Sequence, residues 1–170
     1  MIFALSALAL CALLAGCAES SGTGGVSVAK MNSDSTAVDS ALTVYEDLSN
    51  QNPSTPGDLT TFMSVGSVDL ETLRTSFNTW SYDVDHVNPT GNANKAALPL
   101  MKSYRDALNA WLSGEETQAE GSRACLGAGP ISQSTLDCYQ RLTMEAAPAA
   151  QAALSRLTDA QQLLRALLGR

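Results

Sequence analysis

Six large apolar residues, Leu70, Leu73, Phe77, Trp80, Val84 and Val87, recur at steps of three, four, three, four and three. Alternating steps of that size gather all six on one face of an α-helix, whereas a strand would need a two-residue period. The stripe is narrow and has heptad spacing, which suits a helix lying at a shallow angle against long helical neighbours. Ala97, Met101, Tyr104, Leu108 and Trp111 repeat the theme at steps of four and three. A helix over Thr36–Ser49 carries Val38, Ala41, Leu42, Tyr45 and Leu48 on one side. A last one, opening near Ser132 to Ser134, carries Leu136, Tyr139 and Leu142, then Ala150, Leu154, Leu157, Gln161, Leu164 and Leu168. No run of β-branched alternation between turn residues supports a strand. Four amphipathic segments joined by short turns predict an all-α fold, an up-down-up-down four-helix bundle over residues 34–170.

The breaks are marked by ordinary helix punctuation. Thr36-Ala37-Val38-Asp39 and Ser134-Thr135-Leu136-Asp137 both fit capping boxes. Asn50 to Pro53 stops the first helix, and Asp58 caps a short turn of helix bearing Leu59, Phe62 and Met63. Ser67 is placed to cap the second long helix, which Asn88-Pro89-Thr90-Gly91 ends. Pro99 either opens the main third helix or kinks it. Past Trp111 the chain turns polar from Ser113 to Glu120 and irregular from Gly121 to Pro130. Alanines 146, 147, 149, 150, 152 and 153 either let helices 3 and 4 pack closely or leave a groove between them.

Ahead of these helices, an uncharged apolar run from Ile2 to Ala15 ends in Leu14-Ala15-Gly16-Cys17. Those four residues closely resemble the lipobox of bacterial lipoproteins. The run is about 14 residues long, the length of a signal-peptide core and too short to span a bilayer. The resemblance implies that residues 1–16 are a cleaved signal peptide. It also implies that Cys17 carries diacylglycerol and that its new amino group is acylated by a fatty acid such as palmitate. Ala18 lacks the aspartate that resembles an inner-membrane retention signal, so either the cell membrane or an outer membrane is compatible. Either way the domain hangs on the extracytoplasmic face, its partner there being membrane lipid held through Cys17. Residues 17–33, with Ser20 to Gly25 at their centre, read as the lipidated cysteine and a flexible tether. Sixteen flexible residues have a root-mean-square span of roughly 20–25 Å.

Cysteine use follows from that address. Cys11 leaves with the signal peptide and Cys17 takes lipid, leaving Cys125 and Cys138 outside the cytoplasm, where a structural disulfide is expected. With no C-x-x-C motif and a single histidine in the chain, zinc is not expected. Charge is uneven: residues 18–85 carry a net −8 and residues 86–170 a net +1. The acidic total argues against nucleic acid, whose phosphates would be repelled.

Chemistry is hard to find. Asp83-Val84-Asp85-His86 holds the only histidine. Val84 and Val87 occupy core positions, which puts Asp83 at the flank and Asp85 and His86 toward solvent, so the three do not converge on a metal. No G-x-S-x-G turn or phosphate-binding loop is present. Met63, Met101 and Met144 read as bundle core, not haem ligands. No catalytic residue, cofactor or metal ligand is therefore expected. The first functional expectation is a lipid-anchored module that binds another envelope protein or acts structurally. The alternative is a small-ligand-binding bundle using the alanine-lined space between helices 3 and 4. An apolar pocket with one or two buried polar groups would favour the second. The anchor itself is tested by Cys17→Ser, which should abolish metabolic labelling with a fatty-acid analogue and block cleavage before residue 17. Continued lipid incorporation in that variant would contradict it.

Overall fold

The computed structural model describes residues 26–49, 51–89, 91–126 and 129–167. The expected signal peptide, Cys17 and the expected tether as far as residue 25 lie outside them. Four helices follow one another: α1 (Val28–Ser49), α2 (Pro56–His86), α3 (Asn92–Ala124) and α4 (Gln133–Leu167). They form a helical bundle in which α1 packs on α2, α3 packs on α4, and α2 bridges the two pairs. Helices α1 and α4 make no close backbone approach among the described residues. At 1.5 Å per residue α1 is roughly 33 Å long and the others roughly 46–52 Å, so α2, α3 and α4 run on together where α1 stops.

The expected α2 stripe is the centre of the main core. Leu73, Trp80 and Val84 are 0–1% exposed, and Leu70, Phe77 and Val87 are also buried. Trp80 meets Phe77 and Tyr104 edge-on at 6.3 and 6.0 Å between ring centroids, a favoured aromatic geometry. Met101, Leu108, Trp111 and Leu112 from α3 and Leu157 from α4 complete this cluster with Val38, Leu42 and Tyr45 from α1. A second, smaller cluster of Leu59, Leu136 and Tyr139, with Phe62, Met63 and Ile131 against it, lies at the end α1 does not reach. The Cys125–Cys138 disulfide, with Cα atoms 5.8 Å apart, ties the end of α3 to the start of α4 there.

Several boundaries differ from expectation, each for a local reason. Helix α1 starts at Val28, not Thr36, so residues 28–33 belong to the bundle and not to the tether. Met31 is 1% exposed and continues the α1 stripe backward, while Val26 donates its N–H to the His86 carbonyl at 3.2 Å. Only Met31 and Val28 announce this in an otherwise polar stretch. Thr36 is mid-helix, its hydroxyl donating to the Asn32 carbonyl.

Helix α2 is unbroken from Pro56. Thr55 is its cap: Thr55 Oγ1 accepts from the Asp58 N–H at 3.1 Å and the Asp58 carboxylate accepts from the Thr55 N–H at 3.0 Å. Ser67 lies inside, donating to the Ser64 carbonyl. Leu59, Met63, Gly66 and Leu70 keep the heptad steps, but the glycine makes the stripe look interrupted. A side chain at Gly66 would start 3.1 Å from Leu48 Cδ2, so the glycine lets the end of α1 lie against α2.

Helix α3 passes through Pro99 and continues over Ser113–Glu120 to Ala124. Helix α4 opens at Gln133 behind Ser132, which exchanges hydrogen bonds with Thr135 (3.2 and 3.4 Å), and it passes through Pro148. The side chains of Gln161, Leu164 and Leu168 lie outside the described ones.

Asp83 is not at the flank but 1% exposed. Lys30 from the early turn of α1 holds it at 2.8 Å and Asp34 at 2.6 Å. Burial pushes the Asp83 carboxyl up, with Lys30 opposing, while Lys30 holds Asp34 below its ordinary range. Removing the half-exposed Lys30 would strand the buried Asp83 carboxylate without its cation, so this contact favours the observed register of α1 on α2.

Candidate functional site

Heptad spacing on α3 does not stop at Trp111. Steps of four, three and four lead on to Glu115, Gln118 and Ser122, all in line with Leu108 and Trp111. The same layer of the bundle receives Ser49 from α1, Gly66 from α2 and Thr143, Ala147 and Ala150 from α4. Gly66, Glu115, Gln118, Thr143 and Ala150 thus put small or polar residues toward the interior, Ser49 and Ala147 lie at its edge, and the layer is not filled. A cavity of about 560 Å³ results, lying between the two apolar clusters and touching all four helices. That volume falls within the range of small-molecule sites.

One aromatic ring from each helix walls the cavity: Tyr45, Phe62, Trp111 and Tyr139. Tyr45 meets Trp111 edge-on at 5.9 Å, and Phe62 meets Tyr139 edge-on at 5.8 Å. Met63 and Leu154 add apolar surface. Of the lining residues, Ser49, Arg123, Ala147 and Gln151 are exposed and mark the mouth, on the side where α1 and α4 stay apart.

Two carboxylates belong to the cavity. Glu115 accepts a hydrogen bond from the Tyr45 hydroxyl at 2.9 Å, and burial raises its pKa against that bond. Glu46 sits one residue on from Tyr45, and burial, helped by the neighbouring Asp47 charge, pushes it up to about 7. Burial also raises both tyrosines, so each phenol stays protonated at neutral pH. Gln118 reaches Thr143 across the α3–α4 seam at 3.4 Å, and Ser122 Oγ donates to the Gln118 carbonyl at 2.8 Å.

The alanine run of α4 serves both roles expected of it. α3 and α4 pack closely, yet Ala147 and Ala150 open the inner cavity, while Ala146, Ala149 and Ala153 line a second space of about 700 Å³ between α3 and α4 that shares Trp111, Glu115, Gln118 and Ala150 with it. The expected alanine-lined space between α3 and α4 is therefore present, and beside it lies the cavity shared by all four helices.

The sequence-derived candidates disperse. Asp83 turns inward to Lys30, Asp85 pairs with Arg105 at 2.5 Å, and His86 stacks on Tyr82 with ring centroids 3.9 Å apart. Among the described residues no three His, Cys, Asp or Glu side chains gather as a metal would require. Met101 is core and Met63 a cavity wall, but Met144 is 71% exposed, because it falls off the α4 stripe. The four rings were expected among the apolar positions of their helices and not as a site, and Glu46 and Glu115 were not singled out by sequence. Extending the stripe spacing beyond its last apolar member would have found Glu115.

No protein-family model, characterised protein or solved structure matches this chain.

Because Glu46 holds its proton in the folded state above the ordinary 4.5, the unfolded chain releases it first. Stability contributed by this group is therefore lost as pH rises from about 4.5 toward 7. Glu46→Gln should leave the urea midpoint unchanged near pH 4. At pH 8 it should raise stability by on the order of 1–2 kcal/mol, a figure reduced from the full shift because the cavity opens to solvent. An equal effect at both pH values would contradict the assignment.

Proposed function

We propose that this protein is a small-ligand-binding helical bundle, lipid-anchored through Cys17 at the extracytoplasmic face of a bacterial membrane. The cavity of about 560 Å³ between the two apolar clusters carries the reading. Core-facing positions that turn small or polar leave this space unfilled by the protein's own side chains. Lining by rings and a few placed polar groups is the pattern of binding sites, in which apolar walls supply affinity and sparse polar groups supply orientation. The anchor rests on the resemblance of Leu14–Cys17 to the lipobox. Among the described helices none is long and apolar enough to cross a membrane.

Docking to an envelope protein, the first expectation from sequence, has less behind it. The large exposed apolar side chains among the described residues are Val44 on α1, Val65, Val68 and Tyr82 on α2, and Met144 on α4. They are a few single residues on three helices, of the kind ordinary surfaces carry.

A neutral fluorescent probe, N-phenyl-1-naphthylamine, should bind the purified protein at one per chain. Ala150→Phe, which fills the cavity, should weaken it at least tenfold with helical content retained. Ala152→Phe, on the exposed side of α4, should leave binding within twofold. Equal binding by all three proteins, or none by the unaltered one, would refute the site.

A further inference from the structure

We propose that the cavity takes an organic cation, an ammonium group carrying an apolar body, with its charge on Glu115 and its body against the four aromatic rings. This rests on the ligand-binding reading above and names the class of ligand.

Glu115 occupies a core position on α3 and is partly buried, yet its only hydrogen-bond partner among the described residues is the Tyr45 hydroxyl, and it forms no ion pair there. The cations held in ion pairs on these helices are committed to other carboxylates. Arg74 makes two bonds of 2.6 Å to Glu116, the very next residue, as well as one to Asn109. Arg105 is held by Asp85 and Asp106, and Lys30 by Asp34 and Asp83. The contrast with Asp83 is instructive. Where this fold buries a carboxylate for structure it supplies a lysine, and at Glu115 it supplies a phenol and open space.

The walls complete the complementarity. Ring faces attract cations, most strongly when water is excluded, and quaternary ammonium groups are commonly recognised by cages of such rings. Four rings from four helices surround the space next to the carboxylate. Glu46 places a second carboxylate in the lining, and the exposed Arg123 is the one cation among the described lining residues. An anion would meet both carboxylates. A neutral apolar molecule would strip water from Glu115 and return nothing to it. A cation compensates that loss and favours the ionised carboxylates. The remaining titratable groups facing the space, Tyr45 and Tyr139, stay neutral. Cation binding should therefore strengthen as pH rises through the range in which Glu46 and Glu115 ionise.

The test uses the full chain in nonionic maltoside micelles, with Trp111 in the cavity wall as fluorescent reporter and titration calorimetry beside it. Benzyltrimethylammonium is compared with neopentylbenzene, its neutral carbon isostere, corrected for micelle partitioning, and with the anion benzenesulfonate. At pH 8 the cation should bind at least tenfold tighter than the isostere, and the anion weakest. That preference should fall below threefold at pH 5 and in Glu115→Gln. Should Glu115→Gln not fold, Glu46→Gln and the pH profile of the unaltered protein decide, each expected to lower the preference. If the isostere binds as tightly as the cation at pH 8, or Glu115→Gln keeps the full preference, the cation assignment is wrong while the cavity reading stands. If none of the three binds, both are wrong.

Discussion

Helix α1 ends at Ser49, at the level of α2 where Gly66 meets Leu48, while the other three helices continue. That difference in length divides the interior. On one side four helices enclose the large cluster around Trp80. On the other, Leu59 from α2 packs with Leu136 and Tyr139 from α4. In the layer between them the stripes keep their spacing but present Gly66, Glu115, Gln118, Thr143 and Ala147, which cannot fill it. Close-packed interiors do not tolerate such a gap without loss of stability. The small cluster needs separate support to stand beyond it. The Cys125–Cys138 bond supplies that support, closing a loop worth about 3 kcal/mol in the chain-entropy model.

Electrostatics differ between the two ends of the bundle in the same sense. At the packed end Lys30 joins Asp83 and Asp34, and Val26 bridges to Val87, so the chain enters the bundle already fastened to α2. At the hollow end the carboxyls of Glu46 and Glu115 are both raised by burial, and among the described residues the only bond between helices to either is from a tyrosine.

Much of this was legible in the residues. The stripes Leu70–Val87 and Ala97–Trp111 place the helices and most of the main core, because large apolar side chains at heptad spacing leave few other folds. Two kinds of position were not legible. Gly66 and Ser67 look like a break since a missing side chain and a serine normally mark helix ends, yet Gly66 is small because Leu48 lies against it. Glu115 and Gln118 look like solvent-facing residues since polarity usually means exposure, and only their phase relative to Trp111 shows otherwise. Asp83 was misplaced for a related reason: its partner, Lys30, lies 53 positions away in a stretch that reads as tether. Each miss is a polar or absent side chain in an interior position, where pattern and composition point in opposite directions.

The central claim is that a hollow separates two packed clusters, and xenon is a direct probe of such a space because it enters apolar voids without needing specific partners. Crystals of the protein pressurised with xenon should show bound gas among Leu70, Trp111, Phe62 and Tyr139, with α1 and α4 apart at that level. The absence of xenon together with α1 and α4 in direct contact across the layer would contradict the account.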